Sequence, residues 1–371
     1  MEAVDARGSD SGGLTATYEV VAQFERAVQL ARTAAGPRDA DEVLDTLHET
    51  AYRAEAAYDL AADRIASTDR LERALAVDLL GVLGDTHPEQ RSQIGRVLCD
   101  VTAVETDAAV QMSLARACTE TKDPECLPAL FDLAEHPSEE VRRTVAEALA
   151  WAMLDAPNDR GIDLLIDLTR DDDPEVRNWA MFSLGWQLPI DGDSIREALW
   201  ERISDPYPEV REEAARGLAR RRDRRATPYI AELLARDGAH VHTFDAAAFL
   251  HDPALLPLLG KYNAIDHGVG EALLECDPRA RAKRDDLAWR LFTTLIERWP
   301  ELPVSLYCDR YELGTYLDIA PLPDPNAPWE PPATAGYLVE AVLARAGGDI
   351  ERAADMVVED LLAEIGTLNE E

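Results

Sequence analysis

Lysine is nearly missing from this chain. Three occur in 371 residues, Lys122, Lys261 and Lys283, and every other basic residue is arginine. Basic residues are also outnumbered, 37 against 72 acidic ones, for a formal net charge of −35. A surface this negative repels phosphate backbones, which argues against a general DNA or RNA binder and favours a basic protein partner. An acidic proteome or a demand for solubility gives the same balance, because the acidity spreads along the whole chain. Aromatics are only 6%, too few for the β-branched and aromatic faces of a β-sandwich. Cysteine is scarce: Cys99, Cys118, Cys126, Cys276 and Cys308 form no C-x-x-C pair. An odd count without close pairs argues against a disulfide framework and a zinc ribbon, and leaves small core residues as the expectation. No uninterrupted apolar run reaches about 18 residues, so no membrane span is expected. The opening MEAVDARGSDSGGLT has no basic region followed by an apolar run, so no signal peptide is expected and the chain reads as cytoplasmic. The nucleophile elbow, the phosphate loop, the dinucleotide fingerprint and H-E-x-x-H are all missing. No catalytic residue, metal or cofactor is expected.

What the chain does have is alanine and helical periodicity. Hydrophobic residues make up 46% of it, enough for a continuous core, and alanine is the best helix former. Residues 1–13 are small and polar and read as a disordered arm. An N-terminal helical extension over 14–66 follows. It carries a stripe of Val20, Val21, Phe24, Ala27, Val28 and Ala31, then one long helix, or two with a tight break, between Asp41 and Ala66.

Internal repetition begins next. ERALAVDLLG (Glu72–Gly81), VRRTVAEALA (Val141–Ala150), VRNWAMFSLG (Val176–Gly185) and VREEAARGLA (Val210–Ala219) share one pattern. VQMSLARACT (Val110–Thr119) is a weaker copy and HTFDAAAFL (His242–Leu250) a degenerate one. The shared position falls at Arg73, Gln111, Arg142, Arg177, Arg211 and His242, with spacings of 38, 31, 35, 34 and 31 residues, the range of helical-hairpin repeats. Amphipathic segments precede the later copies: 126–136, 161–171, 194–204 and 227–237. The connections DDDPEVR and DPYPEVR supply Asp, Pro and Glu, and HPSEEVR supplies Ser and two Glu, the chemistry of a helix start. One hairpin cannot bury its apolar face alone, so neighbours stack.

The motif DPEVRNWAMFSLGWQL (Asp173–Leu188), behind a leucine-rich first helix, resembles bacterial HEAT-like repeats of the kind also found in phycobilin lyases. The resemblance is strong over 67–222 and fades after about Leu258. It implies an all-α fold, a right-handed α-solenoid of about six hairpins. The expected organisation is a repeat solenoid over 67–265 and a C-terminal helical cap over 266–371. That cap contains a helix at Leu287–Trp299, a proline-rich linker at 321–336 and two last helices, Tyr337–Ala346 and Asp349–Ile365.

Three clusters invite functional readings. His240, His242, Asp245, His251 and His267 crowd together in sequence, but His242 and His251 share no clean helical face, so surface histidines are expected rather than a metal site. Asp171, Asp172 and Asp173 sit where a helix cap belongs. The resemblance implies that Arg73, Arg142, Arg177 and Arg211 pair with the turn aspartate of a neighbouring repeat, tying the stack together.

One stripe stands out. Two positions beyond the core residues of each second helix is a rotation of about 200°, to the opposite face. Those positions hold Arg143, Glu147 and Trp151; Asn178, Phe182 and Trp186; Glu212, Arg216 and Arg220. The resemblance puts this face on the concave groove, where aromatics beside arginines make an interaction hot spot. The reading is a monomeric, non-catalytic scaffold or adaptor for another protein, with no nucleic acid or membrane partner. The alternatives are a lyase-type chaperone and an acidic nucleic-acid mimic.

Overall fold

A computed structural model describes residues 11–34, 37–236, 238–308, 313–319 and 335–368. The expected arm at 1–13 lies outside it up to residue 10; α1 begins at Ser11. Two compact units are defined by packing, Met1–Ala214 and Ala215–Glu371.

The first unit has only helices as regular elements among its described residues. It runs α1 (Ser11–Thr33), α2 (Pro37–Ala51), α3 (Ala54–Arg64), α4 (Arg70–Thr86), α5 (Arg91–Thr102), α6 (Ala108–Thr121), α7 (Leu127–Leu133), α8 (Glu139–Ala152), α9 (Asp159–Leu168), α10 (Pro174–Phe182), α11 (Asp193–Arg202) and the start of α12 (Pro208–Arg220). The segment after Asp41 is thus two helices with a tight break. The repeat motifs of this unit fall on α4, α6, α8, α10 and α12, each a second helix of a hairpin. Aspartates start several of them: Asp69 accepts from Leu71 N, Asp107 from Ala109 N, and Asp173 from both Glu175 N and Val176 N. Ser138, expected to cap α8, makes no side-chain cap bond; its own N–H donates to His136 Nδ1 at 3.0 Å.

The core follows the sequence stripe. Val141, Val145, Leu149, Val176, Ala180, Leu184, Val210 and Ala214 are all buried. α4 and α6 approach closely where Gly81 and Gly84 face Ala117 and Thr121. A Cβ on Gly84 would lie 2.9 Å from the Thr121 Cα, so only glycine permits this crossing.

The arginines tie turn to turn. Arg142 Nε and Nη2 reach Asp171 at 2.7 and 2.9 Å, while its Nη1 donates to the carbonyls of His136 and Pro137. Arg177 repeats this with Asp205 at 2.9 and 3.0 Å and the carbonyls of Asp171 and Asp172. Arg73 pairs with Glu105 in the same way. Gln111 makes a neutral rung, its Oε1 accepting from His136 Nε2 across 3.1 Å. Arg211 keeps the carbonyl contacts, to Asp205 and Pro206. At the offset where the other rungs find their acid, residues 239–243 read Ala-His-Val-His-Thr, and the ladder ends.

The second unit continues from α12 through α13 (Thr227–Ala235), α14 (Val241–Leu250), α15 (Leu256–Leu259), α16 (Val269–Cys276) and α17 (Pro278–Arg298). A small antiparallel sheet follows, in the order β1 (Val304–Tyr307), β2 (Tyr316–Ile319), β3 (Ala335–Leu338), then α18 (Val339–Arg345) and α19 (Ile350–Leu368). Leu317 of β2 stands opposite Tyr337 of β3 and Leu306 of β1. With Ile319 it packs into a core of Leu291, Leu295, Val339, Ala353 and Val357. The sheet corrects the expected all-helical cap: Tyr337, expected to open a helix, lies within a strand. Residues 320–334, most of the expected linker, lie outside the described residues.

Candidate functional site

The stripe residues do not share one environment. Arg143 and Glu212 are exposed, and Glu147, Trp151, Asn178, Phe182 and Trp186 are half-buried. Arg216 and Arg220 are buried, 7% and 8% exposed. They are corrected out of the exposed stripe. The neighbouring α12 positions Ala215, Leu218 and Ala219 are core, and a guanidinium so covered is poorly placed to meet a partner.

The aromatic part is more defined than an ideal helix allows. α10 does not run on to Gln187. Residues 183–187 widen into a π-turn closed by Leu188 N donating to Ser183 O at 3.1 Å. Ser183 Oγ lies 2.9 Å from both the Ala146 carbonyl of α8 and Gln187 Oε1, which fixes the widened turn against α8. A π-turn rotates less per residue than an α-helix, so Trp186 lags behind the i+4 position of Phe182, and such bulges are frequent at functional sites. Phe182 itself stands edge-on to Trp179, ring centroids 5.8 Å apart at 87°. Trp151, at the end of α8, has the Lys122 ammonium 5.4 Å from its ring centroid, a cation–π contact. Burial raises the Glu147 carboxyl, against the lowering effect of Arg143.

Four more exposed aromatics lie in the same unit, Tyr18 and Tyr52 near its start, and Trp200 on α11 and Tyr207 just before α12. Neither Trp200 nor Tyr207 falls on the second-helix stripe. Tyr207 follows the DP of its turn, the position that reads as solvent in every other repeat. Its ring sits under the Arg177 guanidinium at 5.5 Å.

The histidine cluster divides. His240 N-caps α14 and its ring lies 4.7 Å from that of His242, whose Nδ1 is 3.6 Å from Asp245. His251 instead faces Arg281 and Glu275. Asp171 and Asp173 act as turn partner and cap, as above. Cys118, Cys126 and Cys276 are buried, Cys99 is intermediate and Cys308 exposed.

An acid cluster lies beside α4 and α6 in a cleft of about 360 Å³ lined partly by Val43, Leu44 and Leu47. Burial, then the neighbouring Asp78 carboxylate, pushes the Glu120 carboxyl from 4.5 up to about 7, against Arg116. The native state therefore holds this proton more tightly than the unfolded chain. Stability is highest where both forms are protonated, declines as pH rises from 4.5 to about 7, and stays reduced above that. Glu120→Gln is expected to raise the urea midpoint at pH 8 by an amount worth about 1–3 kcal/mol, and to change it little at pH 4.5. An equal effect at both pH values would contradict this origin.

Comparison with known proteins gives the class. The family model for HEAT repeats matches residues 95–185 and 162–250. Residues 95–250 of the chain are HEAT-like helical repeats. Protein YibA of Escherichia coli strain K12 is 31% identical over 147 residues, 40% of this chain and 51% of that protein, and YibA of Escherichia coli O157:H7 matches to the same extent. The chain thus spans about half the length of the curated relatives it matches. The X-ray structure of the Escherichia coli YibA protein superposes with a TM-score of 0.53 at 23% identity, covering 74% of this chain and 98% of that one, a likeness of fold. No helix among the described residues is long and apolar enough to cross a membrane.

Proposed function

We propose that this chain is a non-catalytic, cytoplasmic scaffold that acts as a monomer and binds another protein through the second-helix face of its first unit. Trp151, Phe182 and Trp186 form the centre of that surface, with Arg143, Glu147, Asn178 and Glu212 around it. The observation that carries this reading is the half-exposed aromatics Phe182, at the end of α10, and Trp186, on the turn that departs from regular helix and is pinned to α8. Repeat proteins use extended faces of this kind for binding, and central aromatics with partial exposure are the residues that carry affinity at interfaces. The charge of −35 favours a basic partner, steering it by long-range attraction.

The test is affinity capture from the host lysate with the wild-type chain and with Trp186→Ala, each followed by mass spectrometry. A protein retained by the first and lost from the second is the expected result. Identical sets of retained proteins would overturn the assignment of this face.

A further inference from the structure

In the second unit, two arginine-rich runs meet. Arg220, Arg221, Arg222, Arg224 and Arg225 form one, and Arg279, Arg281, Lys283 and Arg284 the other. Arg222, Arg281 and Arg284 line one cleft of about 460 Å³, together with His251, Thr315 and Trp289. In a chain with a formal charge of −35 this is a local reversal of sign.

The cleft also carries the Asp285 carboxylate, engaged by Arg284, and the groups left over beside that pair are mostly donors. Arg284 is committed: it contacts Glu275, donates to Asp285 at 2.9 Å and lies 3.5 Å from Glu340. Arg222 and Arg281 are different. Among the described residues no carboxylate lies within 4.0 Å of either guanidinium. Arg281 Nη1 donates to His251 Nδ1 at 2.9 Å, which requires a neutral imidazole with its proton on Nε2, 3.1 Å from Glu275 Oε2. Burial, then the charges of Arg222, Arg281 and Arg284, pushes the His251 pKa down to about 4, consistent with that neutral form. Arg281 Nε is buried with no hydrogen-bond partner, and so is Thr315 Oγ1, on a residue only 6% exposed. Unsatisfied buried donors cost stability unless an acceptor fills them.

We propose that this cleft is a binding site for a small phosphate monoester. A phosphate monoester carries about −1.5 to −2 charge at pH 7 and three acceptor oxygens. That matches two guanidiniums without a carboxylate partner and a hydroxyl donor, whereas a carboxylate has one charge and two oxygens. Arginine forks pair with phosphate bidentately. Trp289, 60% exposed on the same wall, offers a ring face to the organic part of the ester. The site is separate from the protein-binding face of the first unit and does not rest on it.

Isothermal titration of the full chain at fixed ionic strength and pH 7.5 tests this with phenyl phosphate, inorganic phosphate and benzoate. Phenyl phosphate is expected to bind most tightly, inorganic phosphate next and benzoate weakest. Arg281→Ala and Arg222→Gln should each weaken phenyl phosphate by at least about tenfold. Trp289→Ala should remove the advantage of phenyl phosphate over inorganic phosphate. Arg222 is exposed, so its glutamine variant keeps the fold even if Arg281→Ala does not. Absence of binding by the wild type, benzoate binding as tightly as phenyl phosphate, or unchanged affinity in folded Arg222→Gln would each overturn the proposal.

Discussion

Replacing Arg177 with alanine is expected to destabilise the first unit by about 3–5 kcal/mol. Arg177 is 6% exposed and its partner Asp205 4%. Asp205 accepts both Nε and Nη2 of the guanidinium, and the Tyr207 N–H as well. Removing the arginine takes two of three hydrogen-bond donors from a buried carboxylate, which keeps the Tyr207 N–H and Arg202 at 3.6 Å, and leaves the carbonyls of Asp171 and Asp172 without that guanidinium; under-satisfied buried groups cost more than the lost bond itself. The pH dependence has a definite sign. Burial raises the Asp205 carboxyl, but the Arg177 hydrogen bond, the Tyr207 N–H and the nearby arginine charges outweigh it and hold it below the usual range. A depressed native pKa contributes stability that is present above the unfolded value, about 3.9, and is lost as pH falls through the native one. The gap between wild type and Arg177→Ala should therefore be full at pH 7 and narrow below about pH 4. Arg211→Ala is the comparison, because Arg211 holds only carbonyls and should cost about 1 kcal/mol. Urea titrations of the three chains at pH 7 and pH 3.5 measure all of this. Equal losses for Arg177→Ala and Arg211→Ala would show that the acid rungs add nothing to the stack.

Much of this stack is legible in the sequence because each hairpin repeats the same local chemistry. Asp at the turn, Pro and Glu behind it, and Val at the first core position are short-range signals; all four stand in Asp173–Val176, and the Asp and the Val survive in Asp107–Val110. The arginine–acid rungs are legible too, since the offset is fixed by the repeat. What escaped was decided by tertiary packing. The sheet rests on three four-residue strands, and Val304–Tyr307 is too short to separate from loop by periodicity. Its burial against α17 and α19 comes from residues tens of positions away. The burial of Arg216 and Arg220 is likewise a packing outcome, because arginine at those positions reads as solvent on any helical wheel. The π-turn has a faint signal, Gly185 inside a helical pattern, which marks a weak point in the helix but not the direction in which it relaxes. The cleft of the second unit was visible only as two arginine runs, and nothing local says that Arg222 and Arg281 share a wall.

Trp186→Ala is expected to weaken partner binding by about 2 kcal/mol, roughly thirtyfold in affinity, while costing the fold less than about 1.5 kcal/mol. The residue is half-buried, so truncation exposes its neighbours to water rather than sealing a void. Phe182→Ala should behave similarly, with a further small loss from its edge-on contact to Trp179. Leu184, between them in sequence, is fully buried and points to the other side of the turn. Leu184→Ala empties a core site and should cost about 2–5 kcal/mol of stability. At a temperature where that variant stays folded, its partner affinity should remain near wild type. Melting curves and binding isotherms on the same three chains separate the two faces of one five-residue segment. Should Trp186→Ala melt as early as Leu184→Ala, the tryptophan is core, and the binding face must be sought elsewhere on the first unit, with exposed Trp200 and Tyr207 as the next residues to truncate.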